Sequence, residues 1–180
     1  MVFRHFRYSR AVAKVEGEGK QSPAGAVSSQ QRLRLGRPVV PESEDGALAL
    51  GRVYWEEVER FTHRLVRARP AGGGVELALL GRVALLRFGP ADVRVQDGVV
   101  ACRYPILGGA LARAPGGAIS FSQQSGVRPE LRSTIAGFQP RLGARPGRPD
   151  WTGALYAHVQ ARLHGAVGRR YFARLERGQL

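Results

Sequence analysis

Residues 92–104 have the sequence DVRVQDGVVACRY, and this stretch decides the class of fold. Apolar and polar residues alternate on both sides of Asp97-Gly98, a dipeptide that is a strong signal for a two-residue hairpin turn because both positions need positive φ. Such a turn sets the register, and partners across a hairpin share a face of the sheet. The register therefore predicts a core face with Val93, Val95, Val100 and Cys102, and a solvent face with Asp92, Arg94, Gln96 and Arg103.

Strand-like segments continue on both sides of this hairpin. Further short runs lie at residues 75–79, 82–88, 118–124 and 131–138, separated by Gly- and Pro-rich turns. Consecutive strands joined by short turns form antiparallel sheets. The sequence thus predicts an antiparallel sheet of about six strands.

Two amphipathic helices flank the predicted sheet. Ser43 or Asp45 can cap the first helix, whose secure part is residues 52–69, and the second runs from about 151 to 177. The apolar stripe of the first helix consists of Tyr54, Val58, Phe61 and Leu65. A sheet with one apolar face needs a covering layer. We therefore predict an α+β domain in which a curved antiparallel sheet packs on a long C-terminal helix, with one helix before the sheet.

The chain is strongly basic. Its 180 residues include 28 Lys plus Arg against 14 Asp plus Glu, a formal net charge of +14, and all the basic residues except Lys14 and Lys20 are Arg. Basic proteins attract phosphate polymers and anionic membranes without sequence specificity. However, Arg is spread through almost every segment, whereas a nucleic-acid binder concentrates its charge on one face. We therefore attribute the many Arg residues to overall composition, such as that of a GC-rich genome, rather than to a binding site.

Several classes of protein are excluded by composition. The length suits one domain, which can bury a core without a metal or disulfide. A single cysteine, Cys102, excludes an internal disulfide and a Cys-cluster zinc site. No run of 18 apolar residues is present, which excludes a membrane-spanning helix. We expect a cytoplasmic protein without a metal or cofactor.

Residues 1–40 differ in composition from residues 41–180, which we interpret as a single α+β domain. The segment is basic, has a Ser/Gln/Gly/Pro-rich middle and lacks sustained periodicity, so we predict a mostly disordered tail. Three interpretations remain: an RNA-binding arm of alternating Arg and aromatic residues, a targeting segment, or translation from a start codon assigned too early. We favour disorder or the early start. The alternating run at residues 32–35 is compatible with an added edge strand.

The order of elements from about residue 45 onward resembles the START/Bet v 1-like superfamily (SRPBCC, polyketide cyclase-like). The resemblance lies in that order and in the terminal stripe Leu155, Val159, Leu163 and Val167. No catalytic motif accompanies it, and only one clear helix precedes the strands where the superfamily usually has a strand and two helices. The resemblance implies a helix-grip fold with a hydrophobic pocket between the sheet and the C-terminal helix. Such a pocket binds lipids, polyketides or other apolar molecules.

Five residues are candidates for contact with an apolar ligand. Ile106, Leu107 and Leu111 sit among flexible glycines, as the residues of a lid or pocket mouth do. Gln123 shares a strand face with Phe121, so it is predicted to point inward, where a ligand could partner its amide. His158 lies on the C-terminal helix and can act as a base near neutral pH.

The sequence gives little support for a catalytic site or a metal site. Cys102 falls on the apolar face of the hairpin and is expected to be a small buried hydrophobe. His158 and His164 lie about 240° apart around a helix, so they cannot chelate one metal. We therefore expect a non-enzymatic or weakly enzymatic protein.

The C-terminal helix also has a basic side. Arg162, Arg169, Arg170 and Arg174 are candidates for contact with an anionic surface. Three functional hypotheses follow. The first is a carrier for a hydrophobic small molecule held between the sheet and the C-terminal helix. The second is a nucleic-acid or ribosome-associated protein that uses the N-terminal arm and the Arg side of the last helix, and the third is a cyclase-type enzyme.

Overall fold

The computed structural model describes residues 15–22, 25–141 and 165–180. The strands and the first helix are, in chain order, β1 (Glu16–Gln21), β2 (Val27–Arg34), α1 (Glu44–Phe61), β3 (Val66–Ala71), β4 (Gly74–Leu79), β5 (Val83–Phe88), β6 (Asp92–Gln96), β7 (Val99–Gly108), β8 (Ala118–Gln124) and β9 (Glu130–Phe138). A C-terminal helix, α2, is described over residues 165–176. The predicted α+β class is confirmed.

The strands form one open antiparallel sheet with β1 and β3 at its edges. Its order is β1-β2-β9-β8-β7-β5-β4-β3, and β6 pairs with β7 outside this path. Strand β7 pairs with β6 along its first half and with β5 at Ile106 and Gly108. Strands β5 and β6 therefore lie along the same side of β7, and residues 89–91 interrupt them.

The predicted hairpin register is confirmed along all of β6. Val93 pairs with Cys102 and Asp92 with Arg103. Asp97 and Gly98 have φ of 52° and 72°, as the turn requires. Cys102 is fully buried and Arg103 is exposed, as predicted, but Val95, which the sequence predicts on the core face, is 39% exposed.

The core lies between the sheet and the two helices. Ser43 caps α1, since its side chain accepts a hydrogen bond from the N–H of Gly46. Large apolar side chains of α1, the sheet and α2 form one cluster, which includes Tyr54, Trp55, Phe88, Phe121, Tyr171, Phe172 and Leu175. Residues 151–164 of the predicted last helix lie outside the described residues.

The sheet has more strands than the sequence predicts, and one of them replaces the end of the predicted first helix. Helix α1 ends at Phe61, because His63 and Arg64 have left-handed backbone with φ of 49° and 63°. Residues 66–71 then form β3, which pairs with all six residues of β4 around a Gly-Gly turn. Pro70 has no N–H to continue a helix, and the hairpin gives the backbone of this segment a hydrogen-bonding partner in β4.

Two strands come from the segment expected to be a tail. Residues 16–21 form β1 and residues 27–34 form β2, which lies between β1 and β9 rather than at an edge. Leu33 on β2 is only 1% exposed. Residues 27–34 alternate only weakly between apolar and polar side chains. They form a strand because β9, about a hundred residues away, supplies a hydrogen-bonding partner.

Candidate functional site

An open groove runs between α1 and the β3–β4 hairpin. Its volume is about 620 Å³, within the range of small-molecule sites. The groove is lined from α1 by Asp45, Leu48, Ala49, Arg52, Trp55, Glu56 and Glu59, from the hairpin by Ala68, Arg69, Pro70, Gly74 and Val75, and from β7 by Tyr104. Of the predicted ligand contacts that lie within the described residues, Ile106, Leu107, Leu111 and Gln123, none is among them.

Aromatic rings form the inner wall of the groove. The ring centroids of Trp55 and Tyr104 are 5.4 Å apart at 80°, and those of Trp55 and Phe88 are 5.0 Å apart. Helix α1 approaches Tyr104 closely because Gly51 has no side chain, and a Cβ there would lie about 2.5 Å from the Tyr104 hydroxyl. The absence of that one side chain thus sets the distance between the helix and β7 beside the groove.

Most charged groups in the groove already have partners, and the exceptions among the described residues are Arg52 and Asp45. The Glu56 carboxylate pairs with Arg174 at 2.6 Å, and the Glu59 carboxylate accepts the Ala68 N–H at 2.8 Å. Arg69 donates to Glu76 and to the Gly81 carbonyl. Within the described residues Arg52 is exposed and makes no ion pair. The groove therefore offers an aromatic wall, the free guanidinium of Arg52 and, two helical turns away at the start of α1, the free carboxylate of Asp45.

The aromatic core beside the groove contains a thiol and three phenols, one of which, Tyr104, also lines the groove. Burial raises the pKa of Cys102 to about 12 and that of Tyr104 to about 12, and it also raises the pKa of Tyr54 and Tyr171. The Tyr171 hydroxyl is buried and has no hydrogen-bond partner among the described residues. All four groups are therefore neutral at physiological pH, and Cys102 is not an activated nucleophile.

The raised pKa of Cys102 predicts a loss of stability in alkali. In the unfolded chain the thiol ionises near its ordinary pKa of 9.0, whereas the folded protein keeps the proton until about pH 12. The free energy of unfolding is therefore unaffected by ionisation of this thiol below pH 9. Between pH 9 and about pH 12 it falls by about 1.4 kcal/mol per pH unit, because only the unfolded chain releases the proton. Urea unfolding from pH 8 upward should show a shallower decline for Cys102→Ala than for the wild type. Equal slopes would contradict the assignment.

Gln123 does point inward, as the sequence predicts, but the protein itself supplies its partners. The side chain is fully buried, and its Oε1 accepts the N–H groups of Val39 at 2.7 Å and Val40 at 3.0 Å. Its Nε2 donates to the Val40 carbonyl at 2.8 Å. The amide therefore fixes the segment before α1, and Oε1 already accepts two hydrogen bonds, so it has no lone pair left for a donor on a ligand.

The other predicted ligand contacts do not come together. Ile106 is buried in β7, Leu107 is 54% exposed, and Leu111 is half-buried beyond the end of β7. His158 lies outside the described residues. The predicted lid therefore divides into one core residue and two positions at the surface, away from the groove.

Some of the arginines on the basic side of the last helix already form ion pairs within the protein. Arg174 is only 6% exposed and contacts Glu57 and Glu56, so it is not free to bind a surface. Arg170 is exposed but pairs with Glu57 at 3.3 Å. Arg169 is exposed. Arg162 lies outside the described residues.

Two further features are absent from the described residues. Within residues 15–22, 25–141 and 165–180, no three His, Cys, Asp or Glu side chains come together as metal ligands do. The same ranges contain no helix with the length and apolar character needed to cross a membrane.

Comparisons with known proteins leave the family open. No family model matches the sequence, and no curated protein matches it significantly. Among solved structures, the chain is similar to the crystal structure of CalU16 from Micromonospora echinospora, at 13% identity over 95% of this chain and 87% of that one. The TM-score is 0.31, which marks a weak resemblance of fold. The function has to be argued from the groove.

Proposed function

We propose that this protein binds a small apolar or aromatic molecule that carries an acidic group. The site is the groove between α1 and the β3–β4 hairpin, rather than the space between the sheet and the C-terminal helix. In the described part of that space, Tyr171 and Phe172 are fully buried and pack in the aromatic core. The groove, by contrast, is open.

The observation that carries the proposal is the pairing of an aromatic wall with an unpaired guanidinium. Leu48 is 41% exposed, and together with Ala49 and Val75 it gives the groove apolar surface next to Trp55. Arg52 is one helical turn from Leu48 and from Trp55, so a ligand on the apolar surface can reach it. A charge-assisted hydrogen bond from Arg52 to a carboxylate or sulfonate would fix the orientation of the ligand.

Titration with anilinonaphthalene sulfonate tests this assignment, because the probe combines an aromatic body with an anionic group. We expect saturable binding that weakens by about tenfold in Arg52→Gln, the loss of one charge-assisted hydrogen bond. We expect Ala49→Trp, which fills the groove, to abolish binding. Thermal unfolding of each variant checks that the fold is retained.

Arg103→Gln is the matched control, because Arg103 is also exposed but lies on the solvent face of β7. It should bind the probe as the wild type does. Equal binding by the wild type, Arg52→Gln and a folded Ala49→Trp would exclude the groove. Native mass spectrometry of protein purified from its own source, compared with the denatured mass, would then show whether any ligand is carried elsewhere.

A further inference from the structure

Four aliphatic side chains are exposed together at the end of the sheet where α1 finishes. Leu80 is 64% exposed, Leu65 54%, Val83 48% and Leu79 37%. The backbone holds them close: the Leu80 N–H donates to the Leu65 carbonyl at 2.7 Å, and Leu79 pairs with Val83. We call these four residues the leucine tip. Clustered exposed apolar side chains mark interaction sites, unlike single ones.

The backbone of the leucine tip is strained. Leu80 and Gly81 have φ of 51° and 69°, and the Arg82 N–H donates to the Leu79 carbonyl at 3.0 Å, which closes a tight turn. Such turns strongly prefer Asn, Asp or Gly at the position of Leu80, and the β6–β7 hairpin uses Asp97 there. A bulky residue in this conformation is a genuine outlier. The chain therefore keeps an exposed leucine where the fold itself favours a polar residue.

The same end of the sheet has further strain next to Leu80. His63 and Arg64, which precede Leu65, also have left-handed backbone. Three of the four such non-glycine residues in the described ranges therefore lie here, and Asp97 is the fourth. Strained backbone of this kind concentrates at functional sites.

The surroundings of the leucine tip are basic. Residues 62–91 contain five Arg and a single acidic residue, Glu76. The Glu76 carboxylate is already paired with Arg69 and Arg87, whose hydrogen bonds hold its pKa below the usual value. Arg64, Arg67 and Arg82 are exposed and make no ion pair within the described residues. Arg64 and Arg82 directly adjoin Leu65 and Val83 in the chain, and we call this flanking positive charge the basic rim; Arg67 lies on the other face of β3 from Val66, the partner of Leu79.

We propose that the leucine tip docks on an anionic membrane surface. Leu80 and its aliphatic neighbours enter the boundary between headgroups and acyl chains, while the arginines bind the headgroup phosphates and carboxylates. The exposed apolar side chains here are aliphatic, whereas single-stranded nucleic acid is bound mainly by stacking on aromatic rings. The apolar centre and basic rim thus favour lipid over RNA.

Co-sedimentation with vesicles tests the proposal, using phosphatidylcholine alone and phosphatidylcholine mixed with phosphatidylserine. We expect the wild type to bind the mixed vesicles and to be released by salt. Leu80→Asn replaces the strained leucine by a residue that tolerates the turn. It should therefore unfold at a higher temperature and yet bind the vesicles about tenfold more weakly, since the principal inserted side chain is lost.

Val127→Asn is the matched control, because Val127 is a fully exposed aliphatic residue beside a glycine and an arginine but outside the tip. It should bind as the wild type does. Arg64→Gln combined with Arg82→Gln should weaken binding and reduce its dependence on salt. The proposal is overturned if the wild type does not bind the mixed vesicles, or if Leu80→Asn binds them as well as Val127→Asn. Binding to an RNA homopolymer that is tighter than vesicle binding and insensitive to Leu80→Asn would also overturn it.

Discussion

Replacing Glu57 by alanine is expected to lower the free energy of unfolding by about 3–5 kcal/mol, the range for breaking a buried ion pair. Glu57 is 4% exposed on α1, and its carboxylate contacts Arg174 at 3.4 Å, Arg170 at 3.3 Å and Arg60 at 3.1 Å. Arg174 is itself buried on α2 and contacts Glu56 at 2.6 Å. Without Glu57, Arg174 would keep its desolvation cost and lose one of its two carboxylates.

Urea unfolding measures this loss, and hydrogen exchange shows where it occurs. We expect faster exchange over residues 165–176, because the ion pairs join α2 to α1. Glu176→Ala is the control, since Glu176 is exposed on the same helix with no ion pair among the described residues. The double variant Glu57→Met with Arg174→Met should recover much of the loss, because it removes both buried charges. A Glu57→Ala protein as stable as Glu176→Ala would refute the role given to this cluster.

Replacing Gln123 by alanine is the second change with a large expected effect, about 3 kcal/mol. The substitution leaves two N–H groups and one carbonyl of Val39 and Val40 without their side-chain partner, and each unsatisfied buried group costs about 1–3 kcal/mol before relaxation. It also opens a cavity beneath the segment before α1. Chemical denaturation of the purified variant gives the value directly.

Gln124 is the matched control for Gln123 because it is the same residue type on the same strand but exposed. Its amide makes only a long hydrogen bond of 3.3 Å to the Ser125 carbonyl. We expect Gln124→Ala to change stability by no more than about 0.5 kcal/mol. If Gln123→Ala were as mild, its amide would be dispensable for the fold, and its assignment as the link between β8 and the segment before α1 would be wrong.

The candidate site is harder to predict from the sequence than the fold is. Trp55 lies next to the apolar stripe of α1, and its position on the helix is readable, but the groove needs β3 as its other wall. In the sequence, residues 66–69 look like the basic end of the first helix, and a helix there would leave the groove without its second wall. Gln123 shows the opposite case, since its inward direction follows from alternation while its partners lie more than eighty residues away.

Local patterns in the sequence alone determined the α+β class, the start of α1 and the register of β6 on β7. Each depends on interactions between residues close in the chain: capping, a period of two, and the backbone preference of Asp-Gly. Only the tertiary structure decided that β2 enters the sheet, that α1 ends at Phe61 and that Glu57 and Arg174 meet. These features depend on partners distant in the chain, which supply hydrogen bonds, packing and opposite charge that a local pattern does not contain. The groove is such a feature, because its walls come from α1, β3–β4 and β7.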